Sequence, residues 1–181
     1  MQHSNDVNNG NMFIHNKNWF AFYTKSRHEF KAGEQLSEES ISYYLPTVTR
    51  LKQWSDRKKK IVEPLIRGYI FVYANEKERL LALQKSSIVR CITFEGRAAV
   101  IPDWQIENLK TMLGNESDFF ITDRIQAGTK VEITEGPFKG VIGYVNNSTN
   151  GKMLSVSIDL LSRSVNAYLP PTSLVRVVDE K

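Results

Sequence analysis

The sequence has a single cysteine, three histidines and no long apolar run, and each scarcity excludes a class of function. Cys91 has no partner for an internal disulfide or a cysteine metal site. His3, His15 and His28 are scattered and make no ligand spacing. No apolar stretch approaches the ~20 residues that cross a bilayer, so no membrane association is expected. There is no phosphate-cradling glycine loop and no serine elbow, and the carboxylates are dispersed along amphipathic segments. The chain reads as a non-enzyme with no metal and no cofactor.

The composition that remains is that of a folded protein. Its 181 residues, 41% hydrophobic and 10% aromatic, suffice for one medium domain or two small ones with an ordinary core. Residues 1–17 carry asparagine at 5, 8, 9, 11 and 16, and the apolar cluster Met12-Phe13-Ile14 is too short for a secretory core. They read as a disordered leader and point to the cytoplasm. Charge is local. The chain is +4 in total, yet Arg50, Lys52, Arg57, Lys58, Lys59 and Lys60 against Asp56 give +5 within residues 50–60. Such a cluster attracts phosphates or an acidic protein surface, or serves as a solvated hairpin tip that blunts aggregation.

Periodicity divides the chain in two. Trp19 to Tyr23 is apolar on both faces, as a covered central strand would be. Ser26 with Glu29 forms a capping box for a first helix with Phe30, Gly33 and Leu36 on one side. Tyr43-Tyr44-Leu45 begins a second strand, broken by Pro46, and Gly68 to Tyr73 forms a third. Asn75 with Glu78 opens a second helix carrying Leu80, Leu81 and Leu83, with core the expected place for the leucines. Val89 to Phe94 is a fourth strand. Asp103 caps a third helix with Ile106, Leu109 and Leu113 on one face, and Trp104 is expected to pack. This α+β order is that of a ferredoxin-like βαββαβ domain at 18–114. A linker follows at 115–126, and then about five short strands close a small SH3-like barrel at 127–181, with Asn150-Gly151 as a hairpin turn. Six basic and five acidic residues leave that barrel near neutral, which suits protein docking better than nonspecific RNA binding.

The turn Glu135-Gly136-Pro137-Phe138-Lys139-Gly140, flanked by alternating β-branched residues, resembles the KOW motif of NusG-type transcription factors and some ribosomal proteins. Gly136 and Gly140 supply positive backbone angles and Pro137 presets the turn. Phe138 and Lys139 are contact candidates there, or incidental to an architectural turn. Pro64-Leu65-Ile66-Arg67-Gly68-Tyr69-Ile70-Phe71-Val72 resembles the Pro-Leu-Phe-Pro-Gly-Tyr-Val-Phe-Val signature of the NusG N-terminal (NGN) domain, with Ile66 and Arg67 as departures. Trp19 to Tyr23 and Tyr44 to Thr47 resemble that family's first two strands. The same Arg67 to Val72 also resembles the RNP1 pattern of RNA-recognition modules, but Ile70 and Ala74 depart from it.

Within the NusG family the hairpin Lys52 to Lys60 followed by Glu63-Pro64-Leu65 most resembles specialised paralogues, RfaH and above all the UpxY-type antiterminators of capsular and exopolysaccharide operons. A housekeeping NusG is the alternative. The resemblance implies docking on the β′ clamp helices of RNA polymerase through Tyr23, Leu65, Tyr69 and Phe71, with Arg79 near the β gate loop. Tyr69 and Phe71 share one strand face, so they dock only if that face is not the one under the helices. Lys25, Arg27 and His28 stand where RfaH-like factors meet non-template DNA, or simply form a solvated helix start. Arg57, Lys58, Lys59 and Lys60 are further nucleic-acid candidates. The barrel would meet a ribosomal protein or Rho, and a monomer is expected.

Overall fold

The computed structural model describes residues 16–54, 57–115, 117–123 and 128–178. The leader expected over residues 1–17 lies outside them but for its last two positions, as do Ser55 and Asp56 of the basic hairpin and residues 116 and 124–126 of the expected linker. Along the chain run β1 (Asn18–Thr24), α1 (Glu29–Glu38), β2 (Ser42–Tyr44), β3 (Thr47–Gln53), β4 (Lys58–Pro64) and β5 (Tyr69–Ala74). Next come α2 (Glu76–Leu83), β6 (Ile88–Cys91), β7 (Thr93–Phe94), β8 (Arg97–Ala98), β9 (Val100–Ile101) and α3 (Asp103–Leu113). The series closes with β10 (Phe120–Thr122), β11 (Thr129–Glu135), β12 (Ile142–Ser148), β13 (Gly151–Ile158), β14 (Arg163–Tyr168) and β15 (Leu174–Val177). None of these helices is long and apolar enough to cross a membrane.

Two compact units form, and they are not consecutive blocks of sequence. One takes Met1–Leu45 with Arg67–Ile101; the other takes Pro46–Ile66 with Pro102–Lys181. The basic hairpin and α3, which the sequence attaches to the first domain, thus group with the C-terminal strands.

In the first unit the strands lie in the order β2-β5-β1-β6, all antiparallel, with β9 also pairing β1. The apolar pattern of β1 on both faces is explained by this central place. Phe20 and Phe22 of β1 and Ile70 and Val72 of β5 build the core with Ala32 and Leu36 of α1 and Ala82 of α2. Successive strand residues alternate, so Trp19, Ala21, Tyr23, Tyr69, Phe71 and Tyr73 occupy the opposite face.

Local signals set the helices with corrections at α1, α2 and α3, where Asp103, expected to cap, is the first helical residue behind Pro102 and makes no side-chain cap. The Asn75–Glu78 capping box is complete: the Glu78 N–H donates to Asn75 Oδ1 and the Asn75 N–H to Glu78 Oε2, both at 2.9 Å. The Ser26–Glu29 box does not form. His28 is the N-cap without a side-chain bond, and Glu29 is buried because its Oε1 accepts the Gly68 N–H at 2.7 Å. The helix therefore turns Ala32, Gly33 and Leu36 inward and leaves Phe30 exposed. On α2, Leu81 and Leu83 pack against the core but Leu80 is exposed.

Besides the β3–β4 hairpin, the second unit holds a six-stranded antiparallel sheet in the order β10-β14-β13-β12-β11-β15. The strands and the β11–β12 turn of that sheet bury Val131, Ile133, Phe138, Val141, Leu154, Val156, Ile158, Val165 and Ala167. Part of the expected linker is itself a strand: β10 pairs β14, and the Asn166 amide on β14 donates to Phe120 O and Thr122 Oγ1, each at 3.3 Å. The Asn150-Gly151 hairpin forms with Ser148 opposite Gly151. Helix α3 fastens to this sheet through two side-chain amides. Asn108 Nδ2 donates to Ile142 O at 2.9 Å and Oδ1 accepts the Ile142 N–H at 3.1 Å, while Gln105 Nε2 donates to the Asp159 carboxylate Oδ2 at 2.6 Å and its Oε1 accepts the Asp159 N–H at 3.3 Å. Ile106, Leu109 and Met112 are buried, whereas Trp104, expected to pack, is 49% exposed because it stands in the first turn away from that face.

Candidate functional site

The sheet face turned away from α1 and α2 carries a row of aromatic rings. Cross-strand register sets Trp19 against Tyr73, Ala21 against Phe71 and Tyr23 against Tyr69, while Tyr44 of β2 stands beside Phe71. The ring centroids lie 5.2 Å apart for Trp19–Tyr73, 5.4 Å for the edge-on pair Tyr23–Tyr69 and 6.4 Å for the stacked pair Tyr44–Phe71. Aromatic pairs at such spacing contribute roughly 0.5–1.5 kcal/mol beyond area burial. Small Ala21 leaves room for Phe71, which is fully buried, while Tyr23 at the end of the row is 39% exposed. Arg90 of β6 sits opposite Tyr23 with its guanidinium 5.8 Å from the ring centre, a cation–π contact.

Tyr23 is placed by the turn into β5. Gly68 has φ +80°, and a Cβ there would come within 3.1 Å of the Tyr23 ring. Its N–H is held by Glu29 and its carbonyl accepts the Thr24 N–H at 2.9 Å, so β1, α1 and β5 are tied at one point.

Three of the residues that sequence resemblance singles out therefore come together: Tyr23, Tyr69 and Phe71 share the aromatic face. That face is not the one packed under α1 and α2, yet on it Phe71 is fully buried and Tyr69 half-buried. Two others are elsewhere. Leu65 is buried in the other unit, its N–H donating to Pro46 O at 2.8 Å. Arg79 lies on α2, where Glu76 binds its guanidinium with Nε at 2.7 Å from Oε2. That hydrogen bond holds the Glu76 carboxyl below its usual range and raises Arg79, and burial pushes the nearby Cys91 thiol up. Sequence reasoning missed Arg90, Tyr44 and Tyr73 as neighbours of the row. Their signal lies in cross-strand register, which only pairing reveals.

A second group lies in the β1–α1 connection. Lys25 and Arg27 are exposed, Arg27 adopts φ +60°, and the His28 N–H donates to Lys25 O at 3.0 Å. The Lys25 N–H donates to Ser87 O, and around this corner Thr24 Oγ1, His28 Nδ1 and Ser87 Oγ are buried without hydrogen-bond partners. Orphaned buried polar atoms are rare, and three at one corner mark it.

In the second unit Arg57, Lys58, Lys59 and Lys60 are exposed at the end of the β3–β4 hairpin, and Trp54, 53% exposed, has Lys59 Nζ 5.6 Å from its ring centre. In the turn between β11 and β12, Gly136 and Gly140 have φ of +100° and +86°. Phe138 does not project from this turn. It is fully buried, because the Gly140 N–H donates to Ile133 O and the Val141 N–H to Phe138 O, folding the turn back over the strands. Lys139 is exposed.

Among solved structures the chain is similar to one described as domain interaction in Thermotoga maritima NusG, at 19% identity and a TM-score of 0.45 over 85% of this chain and 93% of that chain. It is also similar to conformation A of the MjSpt4:Spt5 complex, at 16% identity and a TM-score of 0.32 over 90% of this chain and 99% of that one. The model of the family NusG, transcription termination factor nusG, matches residues 17–110, just over half of the sequence, and the chain belongs to the NusG family.

Proposed function

We propose that this member of a non-enzymatic transcription-factor family is an elongation factor that docks on RNA polymerase through the aromatic sheet face. The strand order β2-β5-β1-β6 supports a ferredoxin-like NGN domain, and the glycine-framed turn supports an SH3-like KOW barrel. The observation that carries the docking role is the open end of the aromatic row, where exposed Tyr23 and Arg90 stand beside half-buried Tyr69 on the face free of the two helices. Rigid aromatic anchors supply contact area at low entropy cost. The partner is the pair of β′ clamp helices, whose bridging restrains the clamp movements that accompany pausing. Arg79, bound by Glu76 on the other side of the sheet, is offered to the β gate loop, and Lys25, Arg27 and His28 with their orphaned neighbours to non-template DNA. The hairpin favours a UpxY- or RfaH-type antiterminator of capsular or exopolysaccharide operons over a housekeeping NusG. The barrel meets a ribosomal protein or Rho through exposed residues such as Lys139. The protein acts in the cytoplasm as a monomer.

An aromatic sheet face opposite two helices also suits base stacking, so an RNA-binding role is the second reading. Binding of the full chain to a β′ clamp-helix fragment and to single-stranded RNA, at low and high salt, separates the two. Clamp binding that tolerates salt and falls at least tenfold in Tyr23→Ala and Tyr69→Ala supports polymerase docking. Salt-sensitive RNA binding lost in the same variants, without clamp binding, overturns it.

A further inference from the structure

We propose that the β3–β4 ribbon is a binding element for duplex DNA that lies in the major groove. Its strands pair without a break from Thr47 opposite Pro64 to Gln53 opposite Lys58. Residues opposite one another share a face and successive residues alternate. Lys58 and Lys60 thus stand on one face with Leu51 and Val62, and Arg50 and Lys59 on the other with Lys52. Lys52 pairs with Glu63, which sits two positions along on the same face. Arg50, Lys58, Lys59 and Lys60 are all exposed, as are Leu51, Val62 and Trp54, while Thr47, Val48, Ile61, Glu63 and Pro64 at the base are half-buried.

Cations on both faces decide between partners. An acidic protein surface meets one face and leaves the lysines of the other in water. A nucleic-acid groove has phosphates on both walls and engages both faces at once. The major groove of B-DNA, about 12 Å wide, admits a two-stranded ribbon, whereas the major groove of an A-form RNA helix is too narrow and deep. The exposed length from Thr49 to Gln53 spans roughly 17 Å at about 3.4 Å per residue, enough to enter the groove. The element needs no polymerase, so DNA alone tests it.

The experiment titrates the full chain against a fluorescent ~20-base-pair DNA duplex, reading anisotropy at several salt concentrations. Four phosphate contacts give a slope of log K against log salt of about −3.6, from about −0.9 for each contact. Lys58→Gln with Lys60→Gln empties one face, and Arg50→Gln with Lys59→Gln empties the other. Each double variant is expected to bring the slope to about −1.8. If only one pair changes the slope, or neither does, the groove geometry is wrong. Equal affinity for the single strand or for an RNA duplex of the same sequence also overturns it, as does binding with no slope.

Discussion

Replacing Gly68 by alanine separates backbone strain from a side-chain collision, because Gly96 has nearly the same backbone conformation and no neighbour. Gly68 has φ +80° and Gly96 φ +77°; a Cβ at Gly96 meets nothing within 4 Å, whereas at Gly68 it lies 3.1 Å from Tyr23. A left-handed conformation costs an L residue roughly 1–2 kcal/mol, and the stiffer unfolded chain returns about 0.4–1 kcal/mol. Gly96→Ala is therefore expected to destabilise the first unit by about 1 kcal/mol. At Gly68 the Tyr23 ring must also give way, which loosens its edge-on contact with Tyr69 and the Arg90 guanidinium over its face. Those contacts contribute roughly 0.5–1.5 and about 0.5–1 kcal/mol. Part of that is lost, so Gly68→Ala is expected to cost about 2 kcal/mol. Hydrogen exchange of the Phe22 and Ile70 amides in the full chain reads this unit directly and does not require both units to unfold in one transition. At about 1.4 kcal/mol per factor of ten, Gly68→Ala should speed exchange about 30-fold and Gly96→Ala about 5-fold. Equal acceleration, or a smaller effect at Gly68, would refute the idea that this turn holds Tyr23 at the end of the row.

Phe138→Ala empties a fully buried site and should destabilise the second unit by about 3–5 kcal/mol, while exposed Lys139→Ala stays within about 0.5 kcal/mol; exchange of the Leu154 and Val156 amides checks both, and similar values for the two would return Phe138 to the surface. Helix α2 should lose protection in acid. Glu76 is held low by the Arg79 hydrogen bond, and Glu78 is lowered on balance because the bonds from Lys17 and the Asn75 N–H outweigh the opposing effect of burial. A lowered folded pKa contributes stability above the ordinary value of 4.5 that fades as the pH falls through the folded pKa. Amides of α2 should therefore exchange faster, relative to those of α1, as the pH drops below about 4.5, and Glu76→Gln with Glu78→Gln should flatten that dependence.

What could be read without coordinates follows the range of each signal. The Asn75–Glu78 box, the central strand over Trp19 to Tyr23 and the positive angles at Gly136 and Gly140 depend on neighbours within a few residues, and all three are present. The misses depend on distant partners. Glu29 looked like a capping side chain, but Gly68, far along the sequence, offers its carboxylate a buried N–H. Once Glu29 turns inward, α1 rotates Phe30 to the outside. Phe138 occupies a turn, where exposure is the ordinary expectation, yet the turn folds back over the strands and buries its ring. The strand β10 has too few residues to announce itself and is held by its ladder with β14, with the Asn166 amide adding a bond to Phe120 O.

The aromatic row illustrates how far alternation alone can reach. Tyr69 and Phe71 must share a face whatever the fold, but whether that face is core depends on where the helices lie. With Phe20, Phe22, Ile70 and Val72 already filling the space under α1 and α2, the odd-numbered residues of β1 and β5 need different company. They find it in one another across the strands: Trp19 and Phe71 are buried, Tyr44, Tyr69 and Tyr73 are half-buried, and Tyr23 is the exposed ring at the end of the row. Phe71 is consequently a poor anchor for a partner and a good support for one. On the proposed docking reading a partner would meet Tyr23, Tyr69 and Arg90 first, with Phe71 beneath keeping those side chains from sinking into the sheet. The division explains why two residues two positions apart on one strand, alike in sequence, should respond differently to truncation: loss of Tyr69 removes contact, whereas loss of Phe71 removes the floor beneath it.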